Sequence, residues 1–276
     1  MGVFSGPTND WINLSPENSL VGIVTNTYGG QLILALDAGR TLSYSGIGST
    51  WYDLTSNNRN FTRTSSSEVV YDSNGWFDWT DGPSYDSTQG CFTLPGSSLT
   101  LGSYFTIEIW NYYDAASTPN SGSDVNPWVD GCLWTNSASA DWSSGAANNN
   151  GLLFGYNSLV HTNTYGTETQ VDYSTNPSTQ TWHQHVLVSE SWPGPGAETG
   201  KIANVYVDKV NVASMTTFAP KGQSQGTYGI GIADKSGSNY RGEYNGRISI
   251  VRIYSSALTP AEIAQNYDAV KNRYGF

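Results

Sequence analysis

The stretch GRISIVRIYSSALTPAEIAQNYDAVKNRYGF (residues 246–276) decides the fold. Its first nine residues read as a strand, SSAL as a turn, and the remainder as one capped amphipathic helix. Thr259, Pro260 and Glu262 stand at N-cap, N1 and N3, where the threonine oxygen and the glutamate can satisfy each other's free backbone donors. Ile263, Tyr267, Val270 and Tyr274 then recur at helical spacing and share one face. A lone helix with one apolar stripe must dock on something, and the rest of the chain offers only β-structure.

Strand signals precede it at short intervals: QLILAL (31–36), FTIEIW (105–110), GLLFGY (151–156), WHQHVLVSE (182–190), ANVYVD (203–208), VNVA (210–213), YGIGIA (228–233) and RISIVRIY (247–254). Turn residues separate them and no helical pattern falls between, which excludes parallel βαβ units. The expected fold is all-β: a two-sheet antiparallel sandwich with one short C-terminal helix. In FTIEIW, Phe105, Ile107 and Ile109 share one side and Thr106, Glu108 and Trp110 the other, so a half-buried strand is predicted. Gly229 and Gly231 alternate with Tyr228, Ile230 and Ile232, predicting close packing against the partner sheet. ANVYVDKVNVA reads as a hairpin centred on Asp208 and Lys209; a two-residue turn prefers glycine at the second place, so strain or a longer loop is expected at Lys209. Residues 1–30, with only LVGIV (20–24) strand-like, read as an arm or added edge strand, and residues 31–276 as one domain. TNSASADWSSGAANNN (135–150) reads as a loop that exposes Trp142.

Only 13% of the 276 residues are charged, aromatics reach 13%, and the formal net charge is -11. A chain this acidic lacks the clustered Lys and Arg that bind phosphate backbones, which argues against a nucleic-acid partner. The start, MGVFSGPTND, has neither the basic nor the apolar part of a secretion signal, and no run approaches the roughly eighteen apolar residues that span a bilayer. The expectation is a soluble protein with no membrane partner. Cys91 and Cys132 are expected to be free and buried.

Two segments carry a family resemblance: LILALDAGRTLSYSGIGSTWYDLTSNN (32–58) and the closing residues 246–276. Together with WHQHVLVSE and NVYVD they resemble the laminin-G-like, concanavalin A-like jelly rolls that tailed bacteriophages, especially marine ones, encode as virion structural proteins. The resemblance implies two curved antiparallel sheets face to face, first and last strands close together, and the short helix covering one edge. It also implies a capsid decoration or fibre component at the virion surface, made in the host cytoplasm and partnered by other virion proteins, with self-association left open. Three features depart from the family pattern: the loop TSNNRNF after the WYDL aspartate, Lys209 in the hairpin, and residues 1–30, which have no counterpart and are therefore the expected virion anchor.

The fold class includes glycoside hydrolases, whose retaining members place two carboxylates about 5 Å apart on one face. Glu108 and Glu190 each stand alone, Asp114 lies beyond facing range of Glu108, and Asp78 and Asp81 in WFDWTDG read as turn caps. GQSQG (222–226) matches G-x-S-x-G without the helix that motif needs, so Ser224 reads as a loop residue. His183 and His185 share a strand face, but His161 is distant and no third ligand is at hand, so a solvated face is expected. The expectation is a protein that is not an enzyme. Carbohydrate binding to a host surface polysaccharide is the alternative, since lectins lay sugar rings on aromatics. Trp110, Trp128, Trp134 and Trp182 fall in strand-like segments and read as core; Trp142 in the long loop, and Tyr112 and Tyr113 beyond a strand end, are the candidate stacking residues. Calcium, bound through loop carboxylates in this fold family, would have Asp124, Asp130 or Asp234 to choose from.

Overall fold

The computed structural model describes residues 26–27, 30–79, 90–102, 104–114, 131–135, 152–162, 168–191, 202–216, 227–231, 234–236, 239–241 and 244–276. The first strands are β1 (Asn26–Thr27), β2 (Gly30–Asp37), β3 (Thr50–Trp51), β4 (Phe61–Arg63), β5 (Val69–Asp72), β6 (Trp76–Trp79) and β7 (Phe92–Pro95). Next come β8 (Phe105–Tyr113), β9 (Cys132–Thr135), β10 (Leu152–Gly155), β11 (Ser158–Thr162), β12 (Glu168–Asp172) and β13 (Trp182–Ser191). The last are β14 (Ile202–Val207), β15 (Val210–Met215), β16 (Thr227–Ile230), β17 (Asp234–Ser236), β18 (Asn239–Arg241) and β19 (Gly246–Tyr254), followed by helix α1 (Pro260–Val270). One sheet runs β1-β2-β19-β8-β13-β14-β15, with β6 and β5 joined at β19; the facing sheet runs β12-β11-β10-β9-β16-β7-β4-β3. The strands pair antiparallel, as their spacing in the sequence predicts.

The core between the sheets is apolar: Leu34, Leu36, Trp51, Phe61, Phe77, Phe92, Ile107, Ile109, Trp134, Phe154 and Ile253 are among its buried members. Gly231, with φ of 79°, lies where an added Cβ would come 2.5 Å from the Trp79 ring of the opposite sheet, so the expected close approach is real. Cys91 and Cys132 are buried and, as expected, not joined in a disulfide. The hairpin between β14 and β15 has two turn residues, and both take positive φ, Asp208 at 47° and Lys209 at 74°. Partners from elsewhere hold the turn in that geometry: the Asp208 carboxylate accepts from Gln184 N at 2.9 Å, and Lys209 Nζ lies 4.4 Å from the centre of the Tyr267 ring.

Strand β19 changes neighbour part-way along. Its first residues pair with β6 and its later ones with β2, and the register slips between Ile248 and Ile250 on the β8 side, leaving Ser249 as the extra residue. Arg273, from the 3-10 turn after α1 (Lys271–Tyr274), fills the seam. Its guanidinium donates to Asp37 Oδ1 at 2.6 Å, Gly75 O at 2.8 Å and Ser249 Oγ at 3.0 Å. Gly39 and Gly75 leave room for it, since a Cβ at either would collide with its Nη2.

Helix α1 begins as the sequence predicts. Glu262 N donates to Thr259 Oγ1 at 3.3 Å while Thr259 N donates to Glu262 Oε2 at 2.8 Å. Thr259→Ala should therefore lower stability by about 1 kcal/mol, measured as a drop in denaturant midpoint at unchanged slope. The helix does not cover an edge. Ile263 packs with Leu32, Ala35, Val186, Val188 and Tyr254, and Tyr267 with Trp110 and Ile250, so α1 lies across the outer face of the larger sheet. That position overturns the half-buried reading of residues 105–110: Thr106, Glu108 and Trp110, on the outer side, are as buried as Phe105, Ile107 and Ile109.

Candidate functional site

On the outer face of the larger sheet, α1 covers one end and, among the described residues, the other end is left uncovered. Under α1, Glu108 Oε1 accepts from Arg252 Nη1 at 2.8 Å, Gln184 Nε2 at 3.0 Å and Trp110 Nε1 at 3.2 Å. Its Oε2 accepts from Asn266 Nδ2 at 2.9 Å and the Tyr254 hydroxyl at 3.3 Å. Burial alone would lower the Arg252 guanidinium, yet the carboxylate beside it leaves it above its ordinary value. Both oxygens of Glu108 are committed inside the protein and the residue is 0% exposed, which leaves no room for a sugar at this carboxylate.

Beyond the helix, one residue from each of four strands forms a row. Cross-strand pairing aligns Asp78 of β6 with Arg247 of β19, Arg247 with Tyr112 of β8, and Tyr112 with Trp182 of β13. Arg247 Nε donates to Asp78 Oδ2 at 3.0 Å, with both side chains about a third exposed or less, at 31% and 27%. The guanidinium carbon lies 4.6 Å from the centre of the Tyr112 ring and 5.8 Å from that of Trp76. Trp182 closes the group, 5.5 Å from Trp76 and 5.8 Å from Tyr112 between ring centres, with Tyr274 at 4.5 Å on its other side. Burial pushes the Asp78 carboxyl above its ordinary range, although the Arg247 hydrogen bond and charge pull it down. The result is a half-buried aromatic surface with an acceptor and a fork of donors set beside it.

Several candidates named from the sequence fall elsewhere. Tyr112 and Tyr113 are not beyond a strand end: both belong to β8, and alternation sends them to opposite faces. Tyr112 joins the outer row, whereas Tyr113 turns inward and stacks on Tyr156 at 4.3 Å. Asp78 is a strand residue in an ion pair, not a turn cap. Glu190 lies at the surface and accepts from Asn204 Nδ2 at 2.7 Å. Trp110 and Trp134 are fully buried, as expected of core residues, while Trp182 is only half-buried. Asp81, Asp124, Trp128, Asp130, Trp142, Ser224 and the LVGIV segment lie outside the described residues. Asp234 starts β17 and His161 lies in β11. Among the described residues no three His, Cys, Asp or Glu side chains gather as a metal-binding group.

His183 and His185 do not form a solvated face; both are buried between the sheets. His185 Nε2–H donates to Tyr156 O at 3.0 Å and Nδ1 accepts from Asn111 Nδ2 at 2.7 Å, while Asn111 Oδ1 takes the Tyr244 hydroxyl at 3.0 Å. The ring is thus neutral, and burial, aided by His183 nearby, lowers its pKa to about 3. The unfolded chain would bind a proton at His185 near pH 6.5 and the folded one only near 3, so stability should fall as pH drops through that window. The expected slope is about 1.4 kcal/mol per pH unit, seen in denaturant midpoints and absent in His185→Gln.

His183 Nδ1–H donates to Asp208 Oδ2 at 2.6 Å, and its Nε2 faces both Ser178 Oγ at 3.0 Å and Ser178 O at 2.8 Å. Aspartate, histidine and serine in a row is the ordering that activates a serine nucleophile. Here the Ser178 carbonyl, which can accept from Nε2 only when that nitrogen carries a proton, lies nearer to it than the hydroxyl does, and it also accepts from the Tyr156 hydroxyl at 2.7 Å. The imidazole therefore ties the segment before β13 to the β14–β15 turn.

A family profile described as the concanavalin A-like lectin/glucanases superfamily (laminin G type 3) matches residues 86–264. No curated protein matches by sequence. Similar solved structures include domain 4 of AbnA, a GH43 extracellular arabinanase of Geobacillus stearothermophilus, in complex with arabinotriose. It is 13% identical with a TM-score of 0.50, over 86% of this chain and 98% of that one. The ligand-binding domain of botulinum neurotoxin serotype D, in complex with N-acetylneuraminic acid, is 12% identical with a TM-score of 0.53, over 86% and 50%. A Trypanosoma rangeli sialidase mutant displaying trans-sialidase activity is 14% identical with a TM-score of 0.53, over 89% and 34%. At such identities the likeness is one of fold, and this chain spans half the length of the neurotoxin domain and a third of the sialidase.

Proposed function

The chain belongs to the concanavalin A-like lectin/glucanase superfamily, and we propose that within it this protein is a non-catalytic, glycan-binding domain displayed on the particle of a tailed phage. The row Asp78, Arg247, Tyr112 and Trp182 is the observation that carries the binding part, because aromatic ring faces beside fixed polar groups are what carbohydrate recognition requires. The commitment of Glu108 to Arg252 under α1 supports the non-catalytic part. Glycan arrays run with and without calcium test both: retention of a host surface polysaccharide without its breakdown is expected, and release of shortened product from a retained glycan would overturn the non-catalytic reading.

Display on a virion draws support from the resemblance of residues 32–58 and 246–276 to phage jelly rolls. In this reading residues 1–30 dock the domain to capsid or tail proteins. Removing residues 2–25, which spares the β1 pairing with β2, should leave a folded domain that no longer joins particles. Normal incorporation of the truncated protein would end the anchoring idea.

A further inference from the structure

We propose that the open end of the outer sheet face is the glycan site itself, and that it takes neutral sugars offering adjacent hydroxyls, not carboxylate-bearing ones. This rests on the lectin reading above and names its site and ligand class. Helix α1 and the turn after it cover the same face as far as Tyr274, which lies against Trp110 and Trp182 at 4.7 and 4.5 Å between ring centres. Past Tyr274 the face is left, among the described residues, to Trp182, Tyr112 and Trp76.

The polar groups there are half used. Arg247 commits Nε to Asp78 Oδ2, while its two terminal nitrogens and Asp78 Oδ1 make no hydrogen bond among the described residues. The ion pair holds the two side chains together, so an acceptor and a forked donor stand side by side at fixed spacing. Vicinal hydroxyls match that pairing, since each can donate to the carboxylate oxygen and accept from the guanidinium, while the apolar ring face rests on Tyr112 or Trp182.

Charge decides between neutral and acidic sugars. Arg247 is already matched by Asp78, and Asp114 and Asp72 lie close enough to act on Asp78 through their charge. Asp114 acts on Arg247 in the same way. The local balance is negative before any ligand arrives, in a protein whose net charge is -11. A sugar carboxylate drawn to the terminal nitrogens of Arg247 would sit beside Asp78 and these acids, so uronates and sialylated ends are disfavoured.

The full chain is tested on an array that pairs each neutral glycan with its uronate or sialylated counterpart, followed by titration calorimetry on what it retains. Wild type should retain neutral glycans and bind the acidic counterparts at least about tenfold more weakly. Tyr112→Ala, and Arg247→Lys, which keeps the charge beside Asp78 but not the fork, should each lose about tenfold in affinity. Tyr112→Phe, which keeps the ring, should bind like wild type, separating lost stacking from lost fold. Wild-type affinity in both Tyr112→Ala and Arg247→Lys would overturn the site and leave the lectin reading standing. Preference for the acidic partner would overturn the ligand class. Silence across the whole array would overturn the lectin reading and this inference together.

Discussion

Glu108→Ala is expected to destabilise the protein by about 3–5 kcal/mol, because it strands the Arg252 guanidinium in a sealed interface. The pair is 2.8 Å apart with side chains only 4% and 1% exposed, so water cannot replace the missing partner. Gln184, Asn266, Trp110 and Tyr254 would each lose an acceptor as well. Such a loss is a large fraction of a domain's stability and should appear as a fall in melting temperature with early detachment of α1. Replacing both charges, as in Glu108→Leu with Arg252→Met, should recover much of it, since a buried ion pair is costly to halve and far less costly to replace whole. A double variant as unstable as the single one would show that the polar network, not the stranded charge, is responsible.

Asp53→Ala should be the next most damaging, at about 3 kcal/mol. The Asp53 carboxylate accepts from Ala35 N at 3.0 Å, Thr55 N at 2.9 Å, Arg59 N at 3.0 Å and Thr55 Oγ1 at 2.7 Å. Burial raises its pKa while those four donors oppose the rise. It thus stitches the 53–60 loop to β2, where Arg59 and Asn57 also donate to Ile33 O. Alanine leaves three backbone donors without their acceptor. An amide keeps one of the two acceptor oxygens, so Asp53→Asn should fall between wild type and the alanine variant. Equal stability of all three forms by chemical denaturation would refute this role.

Periodicity made the helix cap, the strands and the sandwich readable, because those depend on neighbours within a few residues. It erred where a distant segment supplies the partner. Alternation in FTIEIW shows a mixed face but not the helix that closes over it from residues 260–270, so Glu108 reads as half-exposed. His183 and His185 look solvated because their partners, Asp208 and Asn111, come from beyond their own strand. WFDW reads as a turn because turn residues, SNG and TDG, flank a strand of only four residues. The candidate site shows the same limit. Tyr112 can be singled out as an aromatic at the end of a strand signal, but Trp76 and Arg247 become its neighbours only through cross-strand register. No local pattern announces a row built from four strands.

The placement of β19 also sets a schedule. This strand lies between β2 and β8 and pairs with both, yet it follows them in the chain by well over a hundred residues. During synthesis β2 and β8 must wait with unpaired edges until residues 246–254 emerge. Sheet closure is therefore a late, non-local event, slow to nucleate and exposed to edge-to-edge association meanwhile. A ribosome-stalled chain ending before Gly246 should be protease-sensitive throughout the larger sheet, and become resistant once α1 and Arg273 have cleared the exit tunnel.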